Sequence, residues 1–387
     1  MVRGDLKCAV VGGGIVGMFC AYFLLQRGHR VTLYDSFIEP FQGTTAAGFG
    51  SLTPYSDPFF QGDISRFARK SVDLYREEIV PALSSFRPID LSSDSLLHII
   101  ESAGDVGHYV AELEQRGHRL GSDFRVLSSR DAINLEPNLR PEFEAAIEYM
   151  EPWIDTSQLL PALFAAVNAS PRFELTLGCR VTRALYGSTD ATLQDANGGS
   201  RTFDQVVIAS GAALTAVEGL PSPRLRLIRG DAGMARSHDG APLVSRHVYM
   251  GDAFITPRLS GEHLLGASYD NSDVTNDSGM SAADRNTAKV GHILEILRGC
   301  TALLPKLAEC EITRLWHGWR PSTPSSTPYV GLIPGCSNIW SALGFIGLGV
   351  TLAPAVGLSL AKALEGDAKA LPHALNVPQD DLWSEHG

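Results

Sequence analysis

Apolar positions along the chain follow three patterns. The first is a short, nearly unbroken run. Leu6-Lys7-Cys8-Ala9-Val10-Val11 stops at Gly12-Gly13-Gly14-Ile15-Val16-Gly17, continues at helical spacing, and returns as Val31-Thr32-Leu33-Tyr34-Asp35. This predicts strand, glycine turn, helix, strand and terminal acid. A second run, Gln205-Val206-Val207-Ile208-Ala209-Ser210-Gly211-Ala212, predicts a strand buried on both faces of a mostly parallel sheet, and its small-residue end suits close approach of a ligand. Between 224 and 269 apolar residues alternate with polar ones, in Leu227-Ile228, His247-Val248-Tyr249, Ala253-Phe254-Ile255 and Leu264-Leu265, which predicts an antiparallel sheet. Helical spacing predicts helices over 64–83, ended by Val80-Pro81, over 106–116, over Thr156–Asn168 with Asp155 or Thr156 as cap, and over 283–297. Short strands are expected at Leu96–Ile100, Phe173–Thr176, Val181–Tyr186 and 192–195, with Asn197-Gly198-Gly199 turning a hairpin.

The last third returns to glycine-rich strand and helix, so the expected fold class is α/β. A Rossmann-like dinucleotide-binding domain would be assembled from 1–88, 151–220 and 321–387. A second, α+β domain built on the antiparallel sheet would take 89–150 and 221–320. A chain of 387 residues is long enough for both. The region 340–364 is apolar enough to suggest a membrane span, but it is dense in glycine and broken by Pro354, so a buried loop and helix are expected. With no transmembrane segment and no secretory signal, a cytoplasmic location is expected. Net charge is −11 with no basic stripe, which argues against a nucleic-acid partner. The six cysteines form no C-x-x-C pair and read as reduced thiols rather than disulfides or a zinc site. No metal is expected. G-x-S-x-G, G-K-[ST] and H-E-x-x-H motifs are lacking, which removes the common hydrolase, phosphate-loop and zinc-protease readings.

The N-terminal segment carries chemistry at each position. Gly12 permits a sharp exit from the strand, Gly14 lets a pyrophosphate approach the backbone, and Gly17 allows the helix to pack on the sheet. The helix start, at Ile15 and Val16, supplies N–H groups and partial positive charge for phosphates. Asp35 stands at the distance expected of the acid that accepts hydrogen bonds from a ribose diol, and it would repel a 2′-phosphate. The ligand is therefore an adenine dinucleotide, and NADP is disfavoured.

Four segments in this order resemble the FAD-dependent D-amino acid oxidase superfamily, especially its glycine oxidase, sarcosine oxidase and D-amino acid dehydrogenase branches. They are the N-terminal fingerprint, Gly43-Thr44-Thr45-Ala46-Ala47-Gly48, the strand leading to Ser210-Gly211, and the C-terminal pair 318–324 and 344–354. Thr44 and Thr45 can donate to phosphate oxygens, while Ala47 and Gly48 leave room for a flat ring. Gly347, Leu348, Gly349, Val350 and Thr351 can present backbone N–H groups to the pyrimidine end of the isoalloxazine, where negative charge develops on reduction. The resemblance further implies that Val181 contacts adenine through its backbone and that Arg320 clamps a substrate carboxylate with two parallel hydrogen bonds. Where relatives place a tyrosine that assists the arginine, this chain has Phe254; Tyr249 or Tyr269 could stand in. Sarcosine oxidases attach flavin through a cysteine just before the Thr-Pro pair, and no cysteine lies between Cys310 and Cys336, so dissociable FAD is expected.

The implied activity is oxidation of the C–N bond of an amine or amino acid, by hydride transfer to flavin N5, to an imine that water hydrolyses. Oxygen or a quinone or carrier would take the electrons. An NAD-dependent dehydrogenase and a non-catalytic flavin-binding subunit are the competing readings.

Overall fold

The computed structural model describes residues 5–92, 95–212, 217–274, 287–376 and 383–384. Its first sheet has six strands in the order Tyr329–Leu332, Ile339–Leu343, Gln205–Ile208, Lys7–Val11, Arg30–Tyr34, Phe173–Thr176. All neighbours are parallel except the first pair. The run at 205–212 ends as a strand at Ile208, and Gly211, at φ +59°, lets the chain leave the sheet. Helix Ile15–Gln26 packs between this sheet and helix Gly349–Leu364, which explains why it is buried on nearly every side. The two helices approach to backbone contact at Gly357, where a Cβ would lie 2.7 Å from the Phe19 carbonyl carbon. The apolar stretch 340–364 is thus a fully buried strand, a turn and a buried helix. Among the described residues no helix is long and apolar enough to cross a membrane.

The second sheet has nine strands and draws on 96–149 and 226–322. It is antiparallel apart from the pairing of Val248–Met250 with Leu96–Ile100. Its longest members are Arg226–Arg236 and Glu311–Ser322, paired along their whole length. The second of these was not anticipated from the alternation pattern. Helix Val290–Leu303 covers one face and buries Ile293, Ile296, Cys300 and Leu303 among Ile255 and Leu265. The expected start of this helix at Ala283 lies outside the described residues. Its end is six residues later than expected, because the buried stripe continues to Leu303 and is stopped by Pro305.

The expected helix over 64–83 is Gly62–Leu74, a π-turn at Tyr75–Ile79, then Val80–Ser84. Pro81 has no N–H to give, and the widened turn before it absorbs the missing bond. The turn also aims Tyr75, fully buried, whose hydroxyl donates to the Val350 carbonyl at 2.8 Å and so fixes the start of helix Gly349–Leu364.

Candidate functional site

The glycine turn is shaped by contacts that exclude any side chain. Gly12 has φ +115°, and a Cβ there would sit 2.7 Å from the Ala209 carbonyl carbon. A Cβ on Gly17 would overlap the Gly12 carbonyl oxygen. The middle glycine, which sequence reading passed over, is equally constrained: the Gly13 N–H donates to Asp35 Oδ2 at 2.7 Å, and a Cβ would meet that oxygen at 2.5 Å. Asp35 Oδ1 accepts from the Phe37 N–H at 3.0 Å. The terminal acid therefore ties the turn to the end of the second strand. Helix Ile15–Gln26 starts without a side-chain cap of its own, and Thr45 Oγ1 accepts from the Ile15 N–H at 3.0 Å.

From this turn a cavity of about 430 Å³ runs to the second sheet. Gly12, Gly14, Ile15, Val16 and Asp35 line one end, with Val181, Ser210 and Gly211 beside them. Thr44, Thr45, Ala47 and Gly48 line its middle, and Gly347, Gly349 and Val350 bring the N-terminus of helix Gly349–Leu364 to it. Phe254 and Arg320 line the other end. The short helical turn Thr44–Ala47 is fastened to the strand carrying Arg320: Thr44 Oγ1 donates to the Trp319 carbonyl at 2.9 Å, and Gly318 leaves only enough space for the Ala47 methyl. Ile346, β-branched yet at φ +50°, is held by its N–H bond to the Pro321 carbonyl at 2.7 Å.

Arg320 faces Ile228 across the strand pair and lies over Gly230, where a Cβ would be 2.6 Å from its Cζ. Its Nη1 donates to the Ser268 carbonyl at 3.1 Å, and its Cζ lies 5.4 Å from the centre of the Tyr269 ring. Behind Ser268 is Asp231, fully buried, which receives Arg229 Nε and Nη2 at 3.1 and 2.9 Å and the Lys289 N–H at 3.1 Å, and lies 2.5 Å from His292 Nδ1. The Asp231 N–H in turn donates to Ser268 Oγ at 2.8 Å.

These residues fit an adenine dinucleotide extended toward a charged anchor. The backbone approach at Gly12 to Gly14 is bare, a helix N-terminus is exposed to the cavity, and a flat space passes Ala47 and Gly48 before Arg320. The family described as FAD dependent oxidoreductase matches residues 7–363. The chain belongs to this family. It is an FAD-dependent oxidoreductase, and the nicotinamide and non-catalytic readings are not favoured. Among relatives, it is 27% identical over 377 residues to the glycine oxidase of Bacillus licheniformis, covering 95% of each chain. It is 26% identical over 389 residues to that of Pseudomonas putida, covering 97% of this chain and 99% of the relative. Among solved structures, the glycine oxidase of Geobacillus kaustophilus matches with TM-score 0.81 at 23% identity, covering 94% and 95% of the two chains. The iminodiacetate oxidase of a Chelativorans species matches with TM-score 0.83 at 19% identity, covering 95% and 98%. At those identities the structural likeness is one of fold.

Within this flavoenzyme some expected residues stand behind the cavity rather than in its wall. Gly17 serves packing, as described. Leu348 caps helix Gly349–Leu364 with its side chain buried, and Thr351 Oγ1 donates to the Ser51 carbonyl at 3.3 Å. Tyr249 is paired with Phe254 in register, but its ring stacks on His98 at 4.2 Å, and burial holds its hydroxyl protonated far above the usual range. Tyr269 is half-exposed and covers the Arg320 guanidinium from outside. Phe254 is wedged by Phe49 and His247, with ring centres 5.9 and 5.5 Å away. Burial lowers the pKa of Arg320, and the hydroxyl of Tyr269 and the carboxylate of Asp231 partly restore it. Burial alone would raise the pKa of Asp231; Arg229, His292 and the Lys289 N–H hold it below the usual carboxylate range.

Proposed function

We propose that this enzyme oxidises the C–N bond of a small amine or amino acid that carries a carboxylate. The observation that carries the reading is Arg320, an enclosed guanidinium at the opposite end of the cavity from the dinucleotide-type turn. The glycine oxidases it resembles are named for an amino-acid substrate. FAD would be held at its pyrophosphate by the N–H groups of the Gly12 to Val16 turn and the hydroxyls of Thr44 and Thr45. Asp35 would take the ribose, Val181, Ser210 and Gly211 the adenosine side, and the N–H groups of Gly347, Gly349 and Val350 the pyrimidine edge. When bound, FAD supplies a two-electron acceptor for a hydride.

The chain's own part is positioning. Arg320 fixes the carboxylate through two parallel charge-assisted bonds, which sets the α-carbon relative to the ring space beside Ala47 and Gly48. Phe254 and Phe49 keep the intervening wall apolar and limit water there. An amine that arrives neutral needs no protein base to lose hydride, and the resulting imine is hydrolysed by water to a carbonyl compound and ammonia or an amine. Oxygen, or a quinone or carrier, removes the electrons, and peroxide formation in the same assay tells the first from the others.

The test is anaerobic bleaching of the flavin absorbance by a panel of amines and amino acids. Replacing Arg320 by Met removes one partner of a buried charge pair, which costs about 2–5 kcal/mol. KM should rise roughly 30-fold or more while FAD stays bound. Unchanged kinetics in Arg320→Met would remove the clamp.

A further inference from the structure

A second charged side chain reaches the substrate end of the cavity from a distant part of the chain. Asp57 lines the same cavity as Arg320 and Phe254. It sits on a loop that is fixed from three sides. Glu151, buried, accepts from the N–H groups of Tyr55 and Ser56 at 2.5 and 2.7 Å and from the Ser56 hydroxyl at 2.6 Å. Arg116 Nη1 donates to the Asp57 carbonyl at 2.8 Å. The Phe59 N–H donates to Asp57 Oδ1 at 3.0 Å. Asp57 Oδ2 has no hydrogen-bond partner among the described residues. The charge of Asp57 is felt at Tyr269, whose ring lies against Arg320.

A carboxylate in such surroundings is costly unless it is paired. Burial pushes the Asp57 pKa up to about 6, with the Phe59 N–H and Arg116 pulling it back, so near neutral pH it carries charge in a desolvated place. The charged and titratable groups around it are Arg116, Glu151, Tyr269 and, across the cavity, Arg320. Arg116 is spent on the carbonyl rather than on Oδ2. The missing partner is a cation supplied by what enters the cavity.

We propose that Asp57 is a specificity-determining residue that receives the cationic nitrogen of the substrate while Arg320 receives its carboxylate. This rests on the clamp reading above and narrows it to amino acids recognised at both charges. A plain carboxylic acid would bind Arg320 but leave Asp57 facing apolar atoms and a second negative charge. A plain amine would leave Arg320 unpaired. Selection therefore comes from two unmet charges, not from shape alone.

The experiment compares glycine and sarcosine with acetate, each titrated into the holoenzyme and followed by the shift in bound-flavin absorbance under anaerobic conditions. Asp57→Asn keeps an oxygen for the Phe59 N–H and removes the charge. A lost charge-assisted hydrogen bond is worth about 1.5–3 kcal/mol. Glycine and sarcosine binding should weaken roughly tenfold or more, and acetate binding should be unchanged or tighter. Asp57→Ser, which can accept the same N–H, should give the same change in the amino acid to acetate ratio, so a folding defect in one variant does not decide the matter. Arg320→Met should weaken all three probes. If glycine or sarcosine binds and responds to Arg320→Met, but the ratio is unmoved by both Asp57 variants, Asp57 has no such role and the clamp stands. If no probe binds the wild-type holoenzyme, both readings fall.

Discussion

The two ends of the cavity are built in opposite ways. At the dinucleotide end the contacts are short-range and made by backbone: Gly17 against Gly12, the Gly13 N–H on Asp35 across 22 residues, and the Ile15 N–H on Thr45 across 30. At the substrate end they are long-range and made by side chains: Thr44 with Trp319 across 275 residues, the Ser56 N–H with Glu151 across 95, and Arg320 with Ser268 across 52. The first end needs only one strand–turn–helix unit to be correct. The second exists only after two sheets have come together. The difference teaches that cofactor binding and substrate recognition should fail separately, and in different currencies.

The largest expected effect tests the first end. Gly12→Ala puts a Cβ 2.7 Å from the carbonyl carbon of Ala209 at a φ of +115°. The obstacle is backbone, which cannot step aside, and the conformation is strained for any L residue. The expected outcome is loss of about 3 kcal/mol or more of stability together with loss of bound FAD, read by thermal unfolding and by the flavin spectrum of purified protein. Full FAD retention would mean that the turn is less decisive than its geometry implies.

How legible each end was follows from the same contrast. Gly12, Gly14, Gly17 and Asp35 could be read directly because their spacing is their function. Gly13 could not be separated from its neighbours, since three glycines in a row hide which one meets the acid. The strand Glu311–Ser322 was missed because Thr313, Arg314, His317 and Gly318 blur its alternation, and its partner Arg226–Arg236 lies far away in sequence. Arg320 was singled out only through family resemblance; nothing local distinguishes it. Tyr249 and Phe254 share a face by register, so only three-dimensional packing separates the ring at the cavity from the ring behind it. Asp57 reads locally as a polar residue before a proline, and its place in the cavity is set by Glu151.

The next effect belongs to the substrate end and depends on pH. Burial pushes the Glu151 pKa up to about 7, with the Ser56 and Tyr55 donors opposing and the charge of Asp57 adding to the rise. The folded value lies above the unfolded one, so the native state binds more protons between about pH 4.5 and 7. Stability is then greatest below this window and falls as pH rises through it, by about 2–3 kcal/mol for this group. In Glu151→Gln the amide oxygen can still accept from the loop N–H groups, but nothing titrates. The wild type should lose more stability than Glu151→Gln between pH 5 and pH 8, measured by denaturant unfolding of the holoenzyme. Parallel pH profiles would show that Glu151 is already ionised at little cost.

The smallest effect isolates geometry from charge. Gly230→Ala places a Cβ 2.6 Å from Cζ and Nη2 of Arg320. Here the obstacle is the far end of a long side chain, so the guanidinium moves and the backbone does not. Gly230 lies in strand Arg226–Arg236 opposite Gly318, with an ordinary strand conformation that alanine tolerates, so the fold should be retained. Arg320 would keep its charge but lose its aim, because the Ser268 carbonyl and the Tyr269 ring define only one seat for it. A bidentate contact is sensitive to displacement of this kind, and loss of about 1.4 kcal/mol corresponds to a tenfold rise in KM. FAD content and melting temperature should change little. That pattern would separate the two ends cleanly, since Gly12→Ala empties the cofactor site while Gly230→Ala leaves it filled and impairs only the substrate side. If Gly230→Ala instead releases FAD, the ends are coupled through the strand pair, and the division between a local cofactor cradle and a remote substrate anchor would have to be abandoned.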